Sequence, residues 1–163
     1  MNLAFCIKRN DLGLFVCCLR SIVLHGGCEH YDVYVLETCL ENSMKAALSR
    51  DFKDVITFHF ISDGENLCSD ISDSWHHPKE VFYRAALPLL LPKNVDRALY
   101  LDVNTVVINS IKGLYETDFD GNDNVARTHS FNASSNFDHA SARYGTKLPA
   151  IDSNVLFPHC VNS

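Results

Sequence analysis

The chain lacks any lysine- and arginine-rich run, any Cys-x-x-Cys pair and any apolar stretch long enough to cross a membrane. Each absence excludes a class of function. A nucleic-acid binder concentrates basic residues on one face. Here 14 Lys and Arg stand against 20 Asp and Glu, for a formal charge of −6. A membrane span needs ~18 or more consecutive apolar residues, and no run approaches that. The cysteines (Cys6, Cys17, Cys18, Cys28, Cys39, Cys68 and Cys160) are odd in number, and some sit in apolar stretches such as Phe15-Val16-Cys17-Cys18-Leu19. They read as buried thiols acting as small hydrophobes, not as a disulfide framework. At the amino terminus, Asn2 to Ile7 is too short for a signal-peptide core, and Lys8 and Arg9 follow at once. A cytoplasmic location is therefore expected. Internal repeats and low-complexity linkers are absent too.

What is present fits one globular domain over residues 1–163, with 47% apolar and 21% charged residues. Folding at this size buries roughly 68–70% of the unfolded surface. The short apolar run Leu3 to Ile7 suits a strand covered on both faces. After a polar turn at Lys8 to Asp11, Phe15, Cys18, Leu19 and Ile22 recur at helical spacing, and Gly26-Gly27 supplies the stop. A second strand is expected over Tyr31 to Leu36, a second helix over Glu41 to Arg50, and a third strand over Val55 to Ile61. Pro78 opens a further helix that runs to the break at Pro92, and Arg97 to Leu101 forms a fourth strand ending in Asp102. Strands alternating with helices imply a layered α/β domain with a mainly parallel sheet. The stretch from Ser130 to Pro149 lacks apolar periodicity and reads as a long loop.

In an open α/β sheet the ligand sits outside the carboxyl ends of the strands. Two places qualify: the turn after the first strand, and Asp102-Val103-Asn104 after the fourth. Residues two apart on a strand point the same way, so Asp102 and Asn104 can present oxygens to one point. Such a pair suits Mg²⁺ or Mn²⁺, hard cations that favour oxygen ligands. An ordinary polar strand end is the alternative. The histidines show no spacing that demands a metal, and His76-His77 reads as a solvated turn.

Five segments in order resemble glycosyltransferase family 8. They are Asn2-Leu3-Ala4-Phe5-Cys6 with the helix ending Leu19-Arg20-Ser21-Ile22; Val81-Phe82-Tyr83-Arg84; Arg97 to Val107, similar to the family's Leu-Tyr-Leu-Asp-x-Asp segment; Ile111 to Phe119; and Ile151-Asp152-Ser153-Asn154-Val155-Leu156. The resemblance implies a GT-A (Rossmann-like) fold with helices on both faces of the sheet. It also implies retaining transfer of a hexose from a nucleotide sugar of the UDP-glucose or UDP-galactose type to a saccharide, as in surface polysaccharide or lipopolysaccharide synthesis. Carried over residue by residue, donor contacts fall to Phe5, Cys6, Asn10, Arg84, Asp102, Val103 and Asn104. A Mn²⁺ or Mg²⁺ site falls to Asp102 and Asn104, and catalytic roles fall to Arg84 and Asp152.

This sequence departs from the family pattern where the chemistry is done. The second aspartate of the metal motif is Asn104, which offers an oxygen but no charge, so metal affinity should fall. The turn after the first strand carries an aspartate and an asparagine-tyrosine pair in the family. Here it is Lys8-Arg9-Asn10-Asp11, which matches only the asparagine. Lys8 donates and cannot accept hydrogen bonds from a base; contact with phosphate is one alternative for Lys8 or Arg9, whose role the sequence leaves open. In the last segment Asp152 and Asn154 replace the family's asparagine and glycine. The family also continues past this strand into a histidine-containing segment, so the carboxyl-terminal part of the fold is expected to be missing, and the surface it would cover favours self-association. Three readings remain: a family 8 transferase, a relative that binds nucleotide or a partner without turnover, and an unrelated small α/β module.

Overall fold

Leu3 to Ile7 are apolar without interruption because the strand they form is covered above and below. In the computed structural model, which describes residues 1–37, 40–62, 87, 89–119, 124–128 and 151–158 (the last two segments and Arg9 as backbone), this strand is β1, Asn2–Ile7. It pairs in parallel with β2 (Tyr31–Glu37) on one side and β4 (Leu99–Leu101) on the other. β3 (Ile56–Ile61) adds in parallel outside β2. Beyond β4 the sheet turns antiparallel, with β6 (Ile151–Pro158) and then β5 (Asn124–Thr128), giving the order β3-β2-β1-β4-β6-β5. The expected mainly parallel α/β sheet is thus what the chain builds, with an antiparallel pair at one edge.

Alternation along the strands sorts the core into two layers. Leu3, Phe5 and Ile7 of β1, Val33 and Val35 of β2, and Leu99 and Leu101 of β4 share one cluster with Phe15, Cys18, Leu19 and Ile22. Those last four lie one and two turns apart on α1 (Leu12–His25), which is why they form a single apolar stripe. The ring of Phe15 meets that of Phe5 edge-on at 5.1 Å. Ala4, Tyr34, Leu36 and Tyr100 point the other way and pack with Leu87, Leu91, Val95 and Ala98. Each large side chain buried this fully contributes about 1.5–3 kcal/mol relative to exposure.

The helix ends follow local chemistry. α1 stops at Gly26-Gly27, where Gly27 has φ 83°, and a side chain on it would strike that of Ser110. The Ile111 amide donates to the Gly26 carbonyl at 3.1 Å, so the end of α1 is closed by the segment after β4. α2 spans Asn42–Asp51, one residue later at each end than the sequence suggested, because Glu41 is extended (φ −68°, ψ 149°) and stands outside the helix as its N-cap. β4 starts at Leu99 and not Arg97. The Arg97 guanidinium donates to the carbonyls of Tyr115 (2.6 Å) and Thr117 (3.0 Å) and lies 4.6 Å from the Phe119 ring centre, so Arg97 anchors the one-turn helix Lys112–Tyr115. The helix expected from Pro78 lies mostly outside the described residues; Leu87, Leu89 and Leu90 are helical.

One buried hydroxyl ties the α1 layer to the chain beyond β4. Ser21 Oγ donates to the Cys18 carbonyl at 2.6 Å and accepts from the Val107 amide at 2.9 Å. Removing it leaves the Val107 N–H buried without that acceptor, at a cost of about 1–3 kcal/mol. Ser21→Ala is therefore expected to lower the unfolding free energy by that amount, read as a lower urea midpoint with the slope of the transition unchanged; an unaltered midpoint would show that water replaces the hydroxyl.

Candidate functional site

The strand order creates one crevice at the carboxyl edge of the sheet. From β1 the chain steps through α1 to β2 and through α2 to β3, always outward on one side. β4 then lies on the other side of β1, so connections leave the tops of β1 and β4 in opposite directions. Such a switch point is where open α/β sheets hold ligands. The register Leu3↔Leu99 and Ala4↔Tyr100, continued along the strands, sets Cys6 level with Asp102. Adjacent strands lie ~4.8 Å apart, so the turns after Ile7 and after Leu101 face each other across the crevice.

On the β1 side, Lys8 is extended (φ −104°, ψ 165°) and Arg9–Asp11 forms a 3-10 turn. The Lys8 amide donates to Asp11 Oδ2 at 3.2 Å, and the Asp11 amide donates back to the Lys8 carbonyl at 3.0 Å. This reciprocal box fixes the backbone of the turn and leaves Lys8 and Asn10 exposed.

On the β4 side, strand pairing ends at Leu101, and Asp102 to Thr105 close a turn through Thr105 N–H to the Asp102 carbonyl at 3.0 Å. Asp102 Oδ1 accepts from both the backbone amide and the side-chain Nδ2 of Asn104, each at 3.0 Å. The two side chains do converge, but by a different route from the one the sequence suggested. Strand alternation does not reach them; an aspartate opening a turn and capping the amide two residues on does.

The residues between these turns play unequal parts. Phe5 is fully buried and Val103 is 7% exposed, both in the α1-side core, so each can offer a ligand only backbone. Cys6 is half-buried against the opposite layer. Cys18 lies beneath the crevice, where burial first, then the negative charge of Asp102, push its thiol up to about 12 and make it inert. Arg84, Cys39 and the loop 130–149 fall outside the described residues. Of Asp152 only the backbone is placed; the antiparallel register Leu101↔Val155 carries residues 151–153 past the end of β4, toward the crevice.

The metal site implied by the resemblance can be tested on this donor set. Asn104 turns its amide nitrogen, not its oxygen, toward Asp102, and one of the two Asp102 carboxylate oxygens already accepts two hydrogen bonds. Among the described residues no cluster of three His, Cys, Asp or Glu could hold a metal. A hard divalent cation prefers several charged oxygens, and the pair as built does not fit one.

A second polar feature on this edge escaped the sequence reading. Glu37, the last residue of β2, is 3% exposed and yet ionised. Its carboxylate takes the Lys45 ammonium at 2.6 Å, the Leu40 amide at 2.7 Å and the Ser62 hydroxyl at 2.8 Å. The signal in the sequence was a lone acid ending an apolar strand, with a lysine in the next helix. A cavity of about 230 Å³ lined by Arg20, Leu24, Asp51 and Phe52 lies at the opposite, amino edge of the sheet, away from the crevice.

A mainly parallel sheet with its crevice at the β1/β4 switch point, closed by an acidic turn, defines a GT-A-type α/β protein. The chain belongs to glycosyl transferase family 8, whose profile matches residues 2–150. Solved structures agree on the fold. The galactosyltransferase LgtC, solved with donor and acceptor sugar analogues, superposes with a TM-score of 0.79 at 19% identity, covering 98% of this chain and 58% of LgtC. Mouse xyloside xylosyltransferase 1 gives 0.69 at 15% identity, covering 98% and 67%. GlyE of Streptococcus pneumoniae TIGR4 gives 0.70 at 16%, covering 98% and 34%. The chain thus spans little more than half the length of LgtC. No curated protein matches. No described helix is long and apolar enough to cross a membrane.

Burial alone would raise the Glu37 pKa, but hydrogen bonds from Lys45, the Leu40 amide and Ser62, with the Lys45 charge, outweigh it and hold the carboxyl below its ordinary 4.5. A group depressed in the folded state contributes stability above its unfolded pKa and loses it as pH falls through the folded one. Stability measured by urea titration should therefore decline below about pH 4.5, and Glu37→Gln should flatten that part of the profile. An unchanged acid limb in the variant would remove Glu37 as its cause.

Proposed function

We propose that the chain is the donor-binding domain of a retaining hexosyltransferase, taking a nucleotide sugar of the UDP-glucose or UDP-galactose type. The observation that supports this most directly is the family match over residues 2–150, which spans both turns of the crevice. In the reaction the bond from the anomeric carbon to the diphosphate breaks, its electron pair leaving with the nucleotide. A new bond forms from the same face to an acceptor hydroxyl, whose proton passes to the departing diphosphate.

Each part of the chain then has a task. The turns at Lys8 to Asn10 and Asp102 to Asn104 bracket the nucleotide, and the backbone of Phe5 and Cys6 forms the floor between them. The family resemblance assigns to Arg84, outside the described residues, the cation that would meet the charge growing on the leaving diphosphate, where preorganised charge is worth far more than in water. To Asp152 and the 130–149 segment the resemblance assigns the acceptor side. A saccharide acceptor of surface polysaccharide or lipopolysaccharide, and work in the cytoplasm, complete the reading.

A second reading has an observation of its own. Lys8 and Asn104 replace the acids that the family pattern carries at those places. A chain altered at both could bind nucleotide and transfer nothing.

Thermal unfolding with uridine diphosphate and with each UDP-hexose, followed by assay of uridine diphosphate release, separates the two. A ligand that binds only the folded state stabilises it by ~2.7 kcal/mol at a hundredfold excess over its dissociation constant. A shift with turnover, both lost in Arg84→Ala, is expected for the transferase. A shift with no release of product supports the binding-only relative. No shift with any of these ligands contradicts the proposal.

A further inference from the structure

We infer that β3, the outer strand of the sheet, pairs antiparallel with β3 of a second copy of this chain, about a two-fold axis through His59. The inference does not depend on what the crevice holds.

The backbone supplies the first observation. The Tyr31 amide donates to the Val55 carbonyl at 2.9 Å, and Tyr31 is the register partner of Ile56. In a parallel ladder this phase turns the N–H and C=O of Thr57, His59 and Ile61 toward β2. Those of Phe58 and Phe60 therefore point out of the sheet. Among the described residues none makes a hydrogen bond to these outward groups. Unpaired N–H and C=O groups along an edge are a template for another strand.

The second observation is that this edge is open while the opposite one is blunted. Edge strands are commonly protected by lysine, proline, inward charge or a bulge. β3 pairs with β2 from Ile56 to Ile61 without a bulge, and that run contains no proline, lysine, arginine or carboxylate. β5, at the other edge, has an irregular register between Ala126 and Thr128 and carries Arg127 in its sequence. The polar side chains of β3 are drawn inward. His59 Nε2 lies 3.0 Å from Asp32 Oδ1, its ring stacks on Tyr34 at 4.5 Å, and Thr57 Oγ1 lies 3.0 Å from His30 Nε2. Phe58 and Phe60, whose rings stack at 5.5 Å against the core, stay only half-buried.

The third observation selects the occupant. Thr57-Phe58-His59-Phe60-Ile61 reads nearly the same in both directions about His59. Opposite residues of an antiparallel pair share a face, and a two-fold contact sets residue i against j and j against i. With His59 opposite itself, Phe58 meets the partner's Phe60 and Thr57 meets the partner's Ile61. Aromatic pairs then line one face and β-branched pairs the other, both favourable across strands. The outward groups of Phe58 and Phe60 fall opposite one another, so each such pair exchanges two hydrogen bonds. Charge permits the approach: the chain carries −6 overall, but the only titratable side chain from Ile56 to Ile61 is His59, beside Asp32. A six-residue edge is ~20 Å long, which places the contact at the small end of specific interfaces. The dimer is therefore concentration-dependent.

Sedimentation velocity of the full chain over a concentration series tests this, with three variants. The native chain is expected to pass from monomer to dimer as concentration rises. His59→Lys keeps a cation beside Asp32 but sets two ammoniums opposite each other. It should weaken the dimer about fivefold or more, with a near-native urea midpoint. His59→Cys should crosslink through position 59 on mild oxidation, because Cα atoms of a non-hydrogen-bonded pair lie ~4.5 Å apart, within disulfide reach. Thr57→Cys, two residues off the axis, should not crosslink at its own position. Peptide mapping identifies the linked residues, and it decides the matter if the lysine variant does not fold. A native chain that stays monomeric at every concentration overturns the inference, and so does growth to larger species. A dimer indifferent to His59→Lys, or oxidation that links position 57 and not 59, overturns it as well.

Discussion

Burial of β1 on both faces, between two parallel neighbours, is the constraint from which the rest follows. Its apolar residues can be satisfied only if α1 covers one face and the segment ending at Ala98 covers the other. A strand so enclosed cannot carry polar side chains along its length, so polarity is pushed to the turn at its carboxyl end. The same holds for β4, whose three paired residues are all buried and whose next residue is Asp102. Chemistry at the edge is thus a consequence of packing in the middle. The ties from Ser21 to Val107 and from Gly26 to Ile111 carry the rigidity of α1 into the chain just beyond Asp102.

Electrostatics at that edge is settled locally. Three acids there have hydrogen-bond donors close by: Asp11 the Lys8 amide, Asp102 the Asn104 amides, and Glu37 the Lys45 ammonium with two further donors. Burying a carboxylate costs several kcal/mol unless it is paired and hydrogen-bonded, and Glu37 meets that requirement in full. Carboxylates held in this way are fixed in orientation, which suits a site that must orient a charged ligand before it arrives.

How much of this was legible in the sequence depended on the range of the interaction. Uninterrupted or periodic apolar residues disclosed β1, β2, β3 and α1 to within a residue or so, because burial acts on each element directly. The start of β4 was misjudged at Arg97, whose side chain answers to carbonyls some 20 residues away. The convergence of Asp102 and Asn104 was foreseen for the wrong reason, since a turn and not a strand joins them. Phe5 was read as a donor contact because its neighbours match a family segment, but its side chain belongs to the core. The Glu37 network joins three separate elements, and no local spacing announces it. The strand order that makes the crevice was invisible for the same reason: parallel neighbours are chosen by tertiary packing.

The account's central claim is that ligand chemistry occurs between the turns after β1 and β4. Mapping amide chemical shifts by NMR as uridine diphosphate is added tests it most directly. The account predicts the largest changes at Cys6 to Asp11 and Asp102 to Thr105, with Phe52 and Leu24 at the far edge of the sheet unmoved. Changes centred on the cavity beside Arg20 and Phe52, with both turns silent, would contradict it.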